Sequence, residues 1–139
     1  MVDAHSIQFK KLAMRLKIFK SKVQEKRGRF MIIIKVTMFA LPEKQLEVKQ
    51  TLLSMIEPTG KEAGCLSHSV LCNIEDKNCF SLLAKWETRE ALDKHIMSNR
   101  FGVLLGTKTL LCEPLQIEIY TVSQSEGMEA IHTVRYKKI

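Results

Sequence analysis

The sequence predicts an α+β domain whose elements follow the order βαββαβ. Three patterns support this prediction: a β-branched run over 31–39, helical spacing of apolar residues after Pro42, and a change from period-two to helical spacing at Thr88. From Phe80 to Glu87 apolar and polar residues alternate, as in a strand, and Thr88 is a favourable N-cap for the following helix. This is the order of ferredoxin-like, split-βαβ domains, in which two helices cover one face of a four-stranded antiparallel sheet.

Each element has its own local signal. Pro42 opens the first helix, because the N–H that proline lacks has no partner in a first helical turn. Pro58 is expected to kink or end that helix, and two glycines follow in the connection. The later predicted elements are strands over 65–74 and from Cys79, a tight turn over 75–78, a helix from Thr88 that breaks at Ser98 and continues over 101–111, and a last strand over 115–122.

The chain divides into three predicted segments that differ in charge. Residues 1–29 form a basic N-terminal extension with nine Lys or Arg against two acidic residues. Residues 30–123 hold the predicted domain, with ten basic and eleven acidic residues, and residues 124–139 form a polar tail with an apolar stretch over 131–134. The domain is therefore close to neutral, so the net charge of +7 gives no reason to expect that it binds nucleic acid.

The N-terminal extension has three interpretations that the sequence leaves open. Its apolar residues recur at helical spacing, which is typical of an amphipathic helix that binds a membrane or another anionic partner. A targeting sequence is the second interpretation. The third is that translation starts at Met31 and the residues before it are a wrongly translated leader. Nucleic-acid binding through the extension would depend steeply on salt and would be lost in a chain that starts at Met31.

Cysteine and histidine spacing predicts no metal site. The four cysteines form no CxxC pair, and the histidines complete no zinc-binding spacing. We expect the four cysteines to be small buried thiols in a reducing cytoplasm. No apolar segment resembles a secretory signal after the basic start, and none is long enough to span a membrane.

The face of the sheet that the helices leave open predicts a homodimer. That face is expected to carry Leu, Ile and Cys side chains, which are too apolar to remain in contact with water. Packing sheet against sheet with a second copy would cover them.

Several segments together resemble the antibiotic biosynthesis monooxygenase domain, over about residues 30–123. They are Glu-Pro-Thr and Glu-Ala-Gly-Cys-Leu-Ser within 57–67, the turn 74–78, Lys-Trp-Glu-Thr-Arg-Glu-Ala-Leu at 85–92, His95, and Ser-Asn-Arg-Phe at 98–101. The resemblance implies a dimeric α/β barrel with a pocket between sheet and helices in each subunit. Members of that family include cofactor-free oxygenases of quinols and polyketides, haem-degrading enzymes, isomerase-like proteins and proteins without an established activity.

The chain matches only some of the functional residues that characterise particular members of this family. Trp86 stands where the polyketide oxygenases have a functional tryptophan, but their Asn and Tyr are replaced here by Leu82 and Leu92. The chain does not match the Asn, Trp and His of the haem-degrading members, so haem degradation is not expected. His95 matches a histidine that is common in the wider family, whereas Arg100 stands where many members have a second histidine.

The predicted catalytic residues are His95 and Trp86, and the predicted substrate-binding residues are His68, Arg100 and Phe101. His95 would accept a phenolic proton, since imidazole titrates near neutral pH, and Trp86 would stack on a flat aromatic substrate. Purely structural roles are the alternative. Trp86 and His95 would then be core residues, and Arg100 would form a surface ion pair with Asp93 or Glu113.

The predicted function is that of a cofactor-free monooxygenase for a small aromatic, quinol-like substrate, without a metal or an organic cofactor. The alternative is a non-catalytic small-molecule-binding or stress-response module of the same fold. A closed pocket filled by Leu82, Leu92 and Leu105 would favour the alternative, and an open cavity with His95 at its floor would favour the enzyme. In both cases we expect a cytoplasmic homodimer.

Overall fold

The computed structural model describes residues 30–137, and they follow the predicted order βαββαβ with one further helix at the C-terminus. The strands and helices are β1 Met31–Phe39, α1 Gln45–Gly60, β2 Cys65–Asn73, β3 Asp76–Trp86, α2 Arg89–Ile96, α3 Asn99–Gly106, β4 Gln116–Val122 and α4 Met128–Arg135. Short 3-10 turns at Pro42–Lys44 and Thr107–Leu110 precede α1 and follow α3. The three interpretations of the extension 1–29 concern residues outside this described range.

The four strands form one antiparallel sheet in the order β2-β3-β1-β4. This arrangement confirms the α+β, ferredoxin-like prediction. Along the central pair, Ile32 faces Trp86 at one end and Met38 faces Phe80 at the other. These two pairs mark the opposite ends of the layer between the sheet and the helices.

The helix side of the sheet holds the core. Every second residue of β1 is buried, as the period-two pattern of a half-covered strand requires. The helices add buried apolar side chains that pack against the same face, and each contributes about 1.5–3 kcal/mol when fully buried. The core residues that α1, α2 and α3 supply are Val48, Leu52, Met55, Leu92, Phe101 and Leu104.

The opposite side of the sheet is more mixed than the sequence predicted. Ile33 and Leu83 lie on this face and are half-buried, and the register aligns Lys35 with both Leu83 and Glu118. Tyr120 is 45% exposed there and donates its hydroxyl proton to Glu118 Oε2 at 2.7 Å. Apolar and charged side chains thus share the face that we predicted to be apolar.

Several predicted boundaries differ from the structure. Helix α3 spans Asn99–Gly106 rather than 101–111, and β3 begins at Asp76 rather than at Cys79. The hairpin turns at 74–75 rather than over 75–78, because Asn73 Oδ1 accepts the N–H of Glu75 at 2.8 Å and holds the tighter turn. Helix α1 continues past Pro58 to Gly60, so this proline does not end the helix. In the last turn a proline removes one backbone hydrogen bond, and the Lys61 N–H still donates to the Pro58 carbonyl at 3.3 Å.

The junctions around α2 and α3 confirm the local predictions. The Thr88 side chain caps α2 by accepting the N–H of Ala91 at 3.1 Å. Ser98 interrupts the helical stretch, as predicted, and its side chain also caps α3. Helix α4 occupies the apolar stretch of the C-terminal tail, and none of its residues is buried. Within 30–137 no helix combines the length and the apolar character needed to cross a membrane.

Candidate functional site

The candidate site lies where β3 passes into α2. Trp86 is the last residue of β3 and is 0% exposed. The Thr88 cap starts α2 immediately afterwards, and His95 lies on the second turn of that helix, 4% exposed. The two rings stack with their centroids 4.7 Å apart and their planes at 29°. The strand–helix junction therefore places the two predicted catalytic residues in direct contact.

The start of α3 holds the other side of the imidazole. Ser98 accepts the N–H of Phe101 at 3.2 Å and donates its own hydroxyl proton to the carbonyl of His95 at 2.6 Å. This cap directs Phe101 inwards, where its ring meets His95 edge to face with the centroids 5.4 Å apart. His95 is thus fixed between two aromatic rings.

Glu62, in the connection between α1 and β2, fixes the protonation pattern of His95. Its carboxylate oxygens lie 3.1 and 3.0 Å from His95 Nδ1. An ionised carboxylate only accepts hydrogen bonds, so Nδ1 carries the proton. The neutral ring then has its basic lone pair on Nε2. Sequence reasoning missed this residue as a site residue.

The connection that carries Glu62 is docked against the start of α2. Gly64 has a φ of +84°, which is in the left-handed region that favours glycine. A Cβ atom at this position would collide with the Cβ of Ala91. The Glu87 N–H donates to the Gly64 carbonyl at 2.8 Å, which joins the connection to the end of β3. Glu62 is therefore held by packing and hydrogen bonding on both sides.

Arg100 pairs with Glu62 and not with either acidic residue that the sequence suggested. Its Nη1 lies 2.5 Å from Glu62 Oε2, the oxygen that also faces His95. Asp93 instead accepts a hydrogen bond from Arg89 at 2.8 Å. The Arg100 side chain is 34% exposed and that of Glu62 is 22% exposed, so this pair lies at the border between the site and solvent.

His68 projects from β2 into the same layer. It is 8% exposed, and its Nδ1 has no hydrogen-bond partner. Burial lowers the pKa of His68 from 6.5 to about 4, because the charged form loses its hydration; repulsion from His95 lowers it further, whereas the charge of Glu62 opposes the shift. His68 is therefore uncharged at neutral pH.

Unpartnered polar atoms concentrate at this end of the layer. Within the described residues, Trp86 Nε1, His68 Nδ1 and Thr59 Oγ1 are buried without a hydrogen-bond partner, and Asn78 Oδ1 at the other end is the fourth such atom. An unsatisfied buried polar group costs about 1–3 kcal/mol. A bound molecule with complementary polar atoms would remove that cost.

The thiol of Cys65, which lies near the site, is unreactive, and no metal-binding cluster accompanies it in the described residues. Burial raises the pKa of the Cys65 thiol from 9.0 to about 11, with the charge of Glu62 as the second cause, so the reactive thiolate is not formed at neutral pH. Across the described part of the chain, no three His, Cys, Asp or Glu side chains are grouped to hold a metal ion.

The structure thus brings all five predicted site residues to one end of the layer. His95 contacts both Trp86 and Phe101, and Arg100 is joined to His95 through Glu62. His68 lies on the same face of the sheet, one strand away from Trp86. Of the three leucines expected to fill a closed pocket, Leu82 and Leu92 are buried, but Leu105 is 42% exposed and does not fill it.

Comparison with known proteins gives matches to the described domain. Residues 31–103 match the family described as antibiotic biosynthesis monooxygenase. An uncharacterised protein of Synechocystis is 30% identical over 88 residues, which are 63% of this chain and 60% of that protein's length. The alignment therefore leaves two fifths of this relative unmatched.

Solved structures show the same fold. A conserved protein from Methanosarcina mazei has a TM-score of 0.63 and 29% identity, covering 67% of this chain and 93% of its own. A candidate antibiotic biosynthesis monooxygenase from Deinococcus radiodurans has a TM-score of 0.64 and 22% identity, covering 69% of this chain and 96% of its own. These structures are similar to the domain over nearly their whole length.

Proposed function

The chain belongs to the antibiotic biosynthesis monooxygenase family, and we propose that its site binds a small aromatic, quinol-like molecule and oxygenates it without a metal or flavin. The observation that carries this proposal is the Glu62–His95 pair stacked on Trp86 inside the layer between sheet and helices. A buried imidazole with a fixed tautomer next to an aromatic wall suits the removal of a proton from a flat phenolic substrate.

The proposed reaction begins with proton transfer. His95 Nε2 accepts the proton of a quinol hydroxyl, and the resulting anion passes one electron to O₂. The superoxide and the ring radical then join through a new C–O bond, and the protonated His95 returns its proton to the terminal oxygen, which gives a ring hydroperoxide. The carbon that carries this group then loses its hydrogen as a proton, the O–O bond breaks, and the expelled hydroxide takes up that proton and leaves as water. Quinol and O₂ are thereby converted to hydroxyquinone and water, so the quinol supplies all the electrons and no further reductant is needed.

The surrounding side chains would bind and orient the ring. Trp86 would stack on the substrate and donate its unpartnered Nε1–H to a carbonyl or hydroxyl oxygen. His68 would form a neutral hydrogen bond through Nδ1, since its low pKa keeps the ring uncharged. Phe101 would be a second apolar wall, and Arg100 would anchor polar substituents at the exposed border.

Oxygen consumption tests the proposal. Protein treated with a chelator is assayed against reduced naphthoquinols and anthrones, and uptake above autoxidation is the expected result. His95→Gln removes the base and is expected to abolish this excess uptake. The matched control is His132→Gln, which changes an exposed histidine on α4 and should leave the uptake at the wild-type level. Equal uptake by wild type and His95→Gln would contradict the assignment of the base.

Binding without catalysis is the second candidate function. The unpartnered Trp86 Nε1 and His68 Nδ1 favour it, because these atoms need only a ligand's polar groups and no reaction. Saturable quinol binding with no oxygen uptake would support this function. Its test is calorimetry with the same compounds under nitrogen.

The proposed working form is a cytoplasmic homodimer that packs through the open sheet face. The half-buried Ile33 and Leu83 supply apolar area, and the mixture of Lys35 and Glu118 allows ion pairs across the interface. The described cysteines are free thiols, which is consistent with a reducing compartment, but Cys72 and Cys112 are exposed and not buried as predicted. Light scattering of the full chain is expected to give twice the 16.0 kDa monomer mass.

The proposed domain spans 30–123, with 1–29 as a separate extension and 124–139 as a tail. A chain that starts at Met31 is therefore expected to keep the secondary structure and ligand binding of the full chain. Loss of folding in that shorter chain would contradict these boundaries.

A further inference from the structure

We propose that Arg100 selects for aromatic acids, so that the substrate is a quinol-like ring that carries a carboxylate or an equivalent oxyanion. The inference rests on the proposed function and adds the charge of the substrate to it. It depends on the position of Arg100, which pairs with Glu62 and is partly exposed at the border of the site.

Arg100 has more N–H donors than its contact with Glu62 uses. Arg100 meets Glu62 through Nη1, and a guanidinium carries five N–H donors in one planar fork. About a third of this side chain, 34%, is exposed, compared with 5% for the side chain of His95. The guanidinium can therefore hold Glu62 with one nitrogen and offer its exposed edge to a carboxylate, which binds arginine in a bidentate manner.

Arg100 is joined to the proposed base through Glu62. Glu62 Oε2 contacts Arg100 Nη1 and lies 3.0 Å from His95 Nδ1, so one carboxylate joins the two residues. A ligand held by the guanidinium would thus lie at the border of the site, beside the ring that accepts the proton. The aromatic part of the same molecule would extend inwards towards Trp86, which stacks on His95.

The charges around Arg100 do not oppose an anionic ligand. Glu62 and Arg100 neutralise each other, and the two other titratable groups near them are uncharged at neutral pH: His68, with a pKa of about 4, and Cys65, with a pKa of about 11. The proton that His95 accepts leaves the quinolate anion as its counter-charge. The cluster therefore holds no unpaired negative charge that would repel a carboxylate on the substrate.

Calorimetry under nitrogen with two matched probes tests the inference. Gentisate is a quinol that carries a carboxylate, and gentisamide is its uncharged amide. Wild type is expected to bind gentisate at least about tenfold more tightly than gentisamide, as a charge-assisted hydrogen bond implies. Arg100→Gln is expected to bind both probes alike, and Arg100→Lys, which retains the charge, is expected to keep part of the preference. Arg89→Gln, which removes an exposed arginine that pairs with Asp93, is the matched control and should bind as wild type does.

The outcomes separate this inference from the proposed function. A preference for gentisate that Arg100→Gln abolishes supports the inference, even if neither probe consumes oxygen, and the oxygenase proposal alone would then fail. Equal binding of both probes by wild type, binding of neither probe, or an unchanged preference in Arg100→Gln would each overturn the inference. Oxygen uptake with neutral quinols would in those cases leave the proposed function standing. If Arg100→Gln does not fold, Arg100→Lys is used to test the inference. A preference for gentisamide in Arg100→Lys would contradict the role of the charge.

Discussion

The two ends of the layer between sheet and helices differ in what they bury. At the end where Met38 faces Phe80, the buried side chains of β1, β3 and the middle of α1 are apolar apart from the thiol of Cys79, and Asn78 Oδ1 is the one unpartnered buried polar atom found there among the described residues. At the end where Ile32 faces Trp86, the same layer buries two imidazoles and a threonine. The first end has the composition of a core that serves stability alone.

This difference is the one expected if the Trp86 end binds a ligand, as proposed above. Apolar side chains of similar size would avoid the unsatisfied atoms of Trp86, His68 and Thr59, each of which costs about 1–3 kcal/mol. The fold tolerates them at one end because the other end is packed with buried aliphatic and aromatic groups. Substitutions at the two ends should therefore have different consequences.

The largest effect is expected at His95. His95→Gln should lower quinol oxygenation by about 10²–10⁴-fold, because a positioned general base contributes rate enhancements of that size. The near-ultraviolet circular dichroism of Trp86, the only tryptophan of the chain, should retain its sign and shape and so show that the site is still folded. Oxygen-electrode rates measure the change, and a loss of less than threefold would mean that His95 is not the base.

At the apolar end, Leu52→Ala should reduce stability and leave chemistry intact. Leu52 is 0% exposed, and truncation of a buried leucine lowers the free energy of unfolding by about 2–5 kcal/mol. Leu53→Ala, next to it on α1 and 50% exposed, is the matched control and should change stability by less than about 0.5 kcal/mol. Urea unfolding measures both. A loss of turnover per folded Leu52→Ala molecule would show that the two ends are not independent.

Glu62→Gln is expected to have an intermediate effect on activity. The amide can still hydrogen-bond to His95, but it loses the charge that pairs with both His95 and Arg100. Turnover should fall by roughly 10–100-fold, the effect of a misplaced catalytic group. Glu57→Gln removes a carboxylate that pairs with Lys61 on the surface, and its activity should equal that of wild type. If both variants behave alike, the connection between α1 and β2 has no part in the site.

The smallest effect concerns pH. Folded His68 takes up its proton near pH 4 and the unfolded chain near 6.5, so the unfolded state binds more protons between these values. The contribution of His68 to the free energy of unfolding is therefore fully present above pH 6.5, and it is lost as the pH falls towards 4. Between pH 7.5 and 5, wild type should lose roughly 1–2 kcal/mol more than His68→Leu. The nearby groups Glu62, His95 and Cys65 remain in both proteins, so equal losses in urea titrations would show that His68 is not responsible.

Local sequence patterns predicted the elements that have strong local signals. The alternation of β-branched residues in β1, the Thr88 cap and the interruption at Ser98 are all properties of a few neighbouring residues, and the structure confirms them. The predicted position of the hairpin turn was wrong, because Asn73 starts the turn earlier than the cluster of polar residues over 75–78 suggested. Helix α4 was not assigned, since its N-cap Gly127 makes no side-chain cap that the sequence could reveal.

The candidate site was predicted only in part for a similar reason. His95 and Trp86 lie within ten residues of each other, so the strand-to-helix junction alone places them together. Glu62 is 33 residues before His95 and reaches it only because Gly64 packs against Ala91. That contact depends on tertiary structure. The presence of Glu62 in a segment shared with the family was the only signal for it in the sequence.

The indole N–H of Trp86 offers the most direct test that the polar end is a ligand site. A chain with one tryptophan gives one indole cross-peak in a ¹H–¹⁵N spectrum, and this N–H is buried without a hydrogen-bond partner. Titration with a reduced naphthoquinol under nitrogen should move that peak downfield and to saturation, as the N–H donates to the ligand. A peak that stays in place throughout the quinol and anthrone series, in folded protein, would contradict the account.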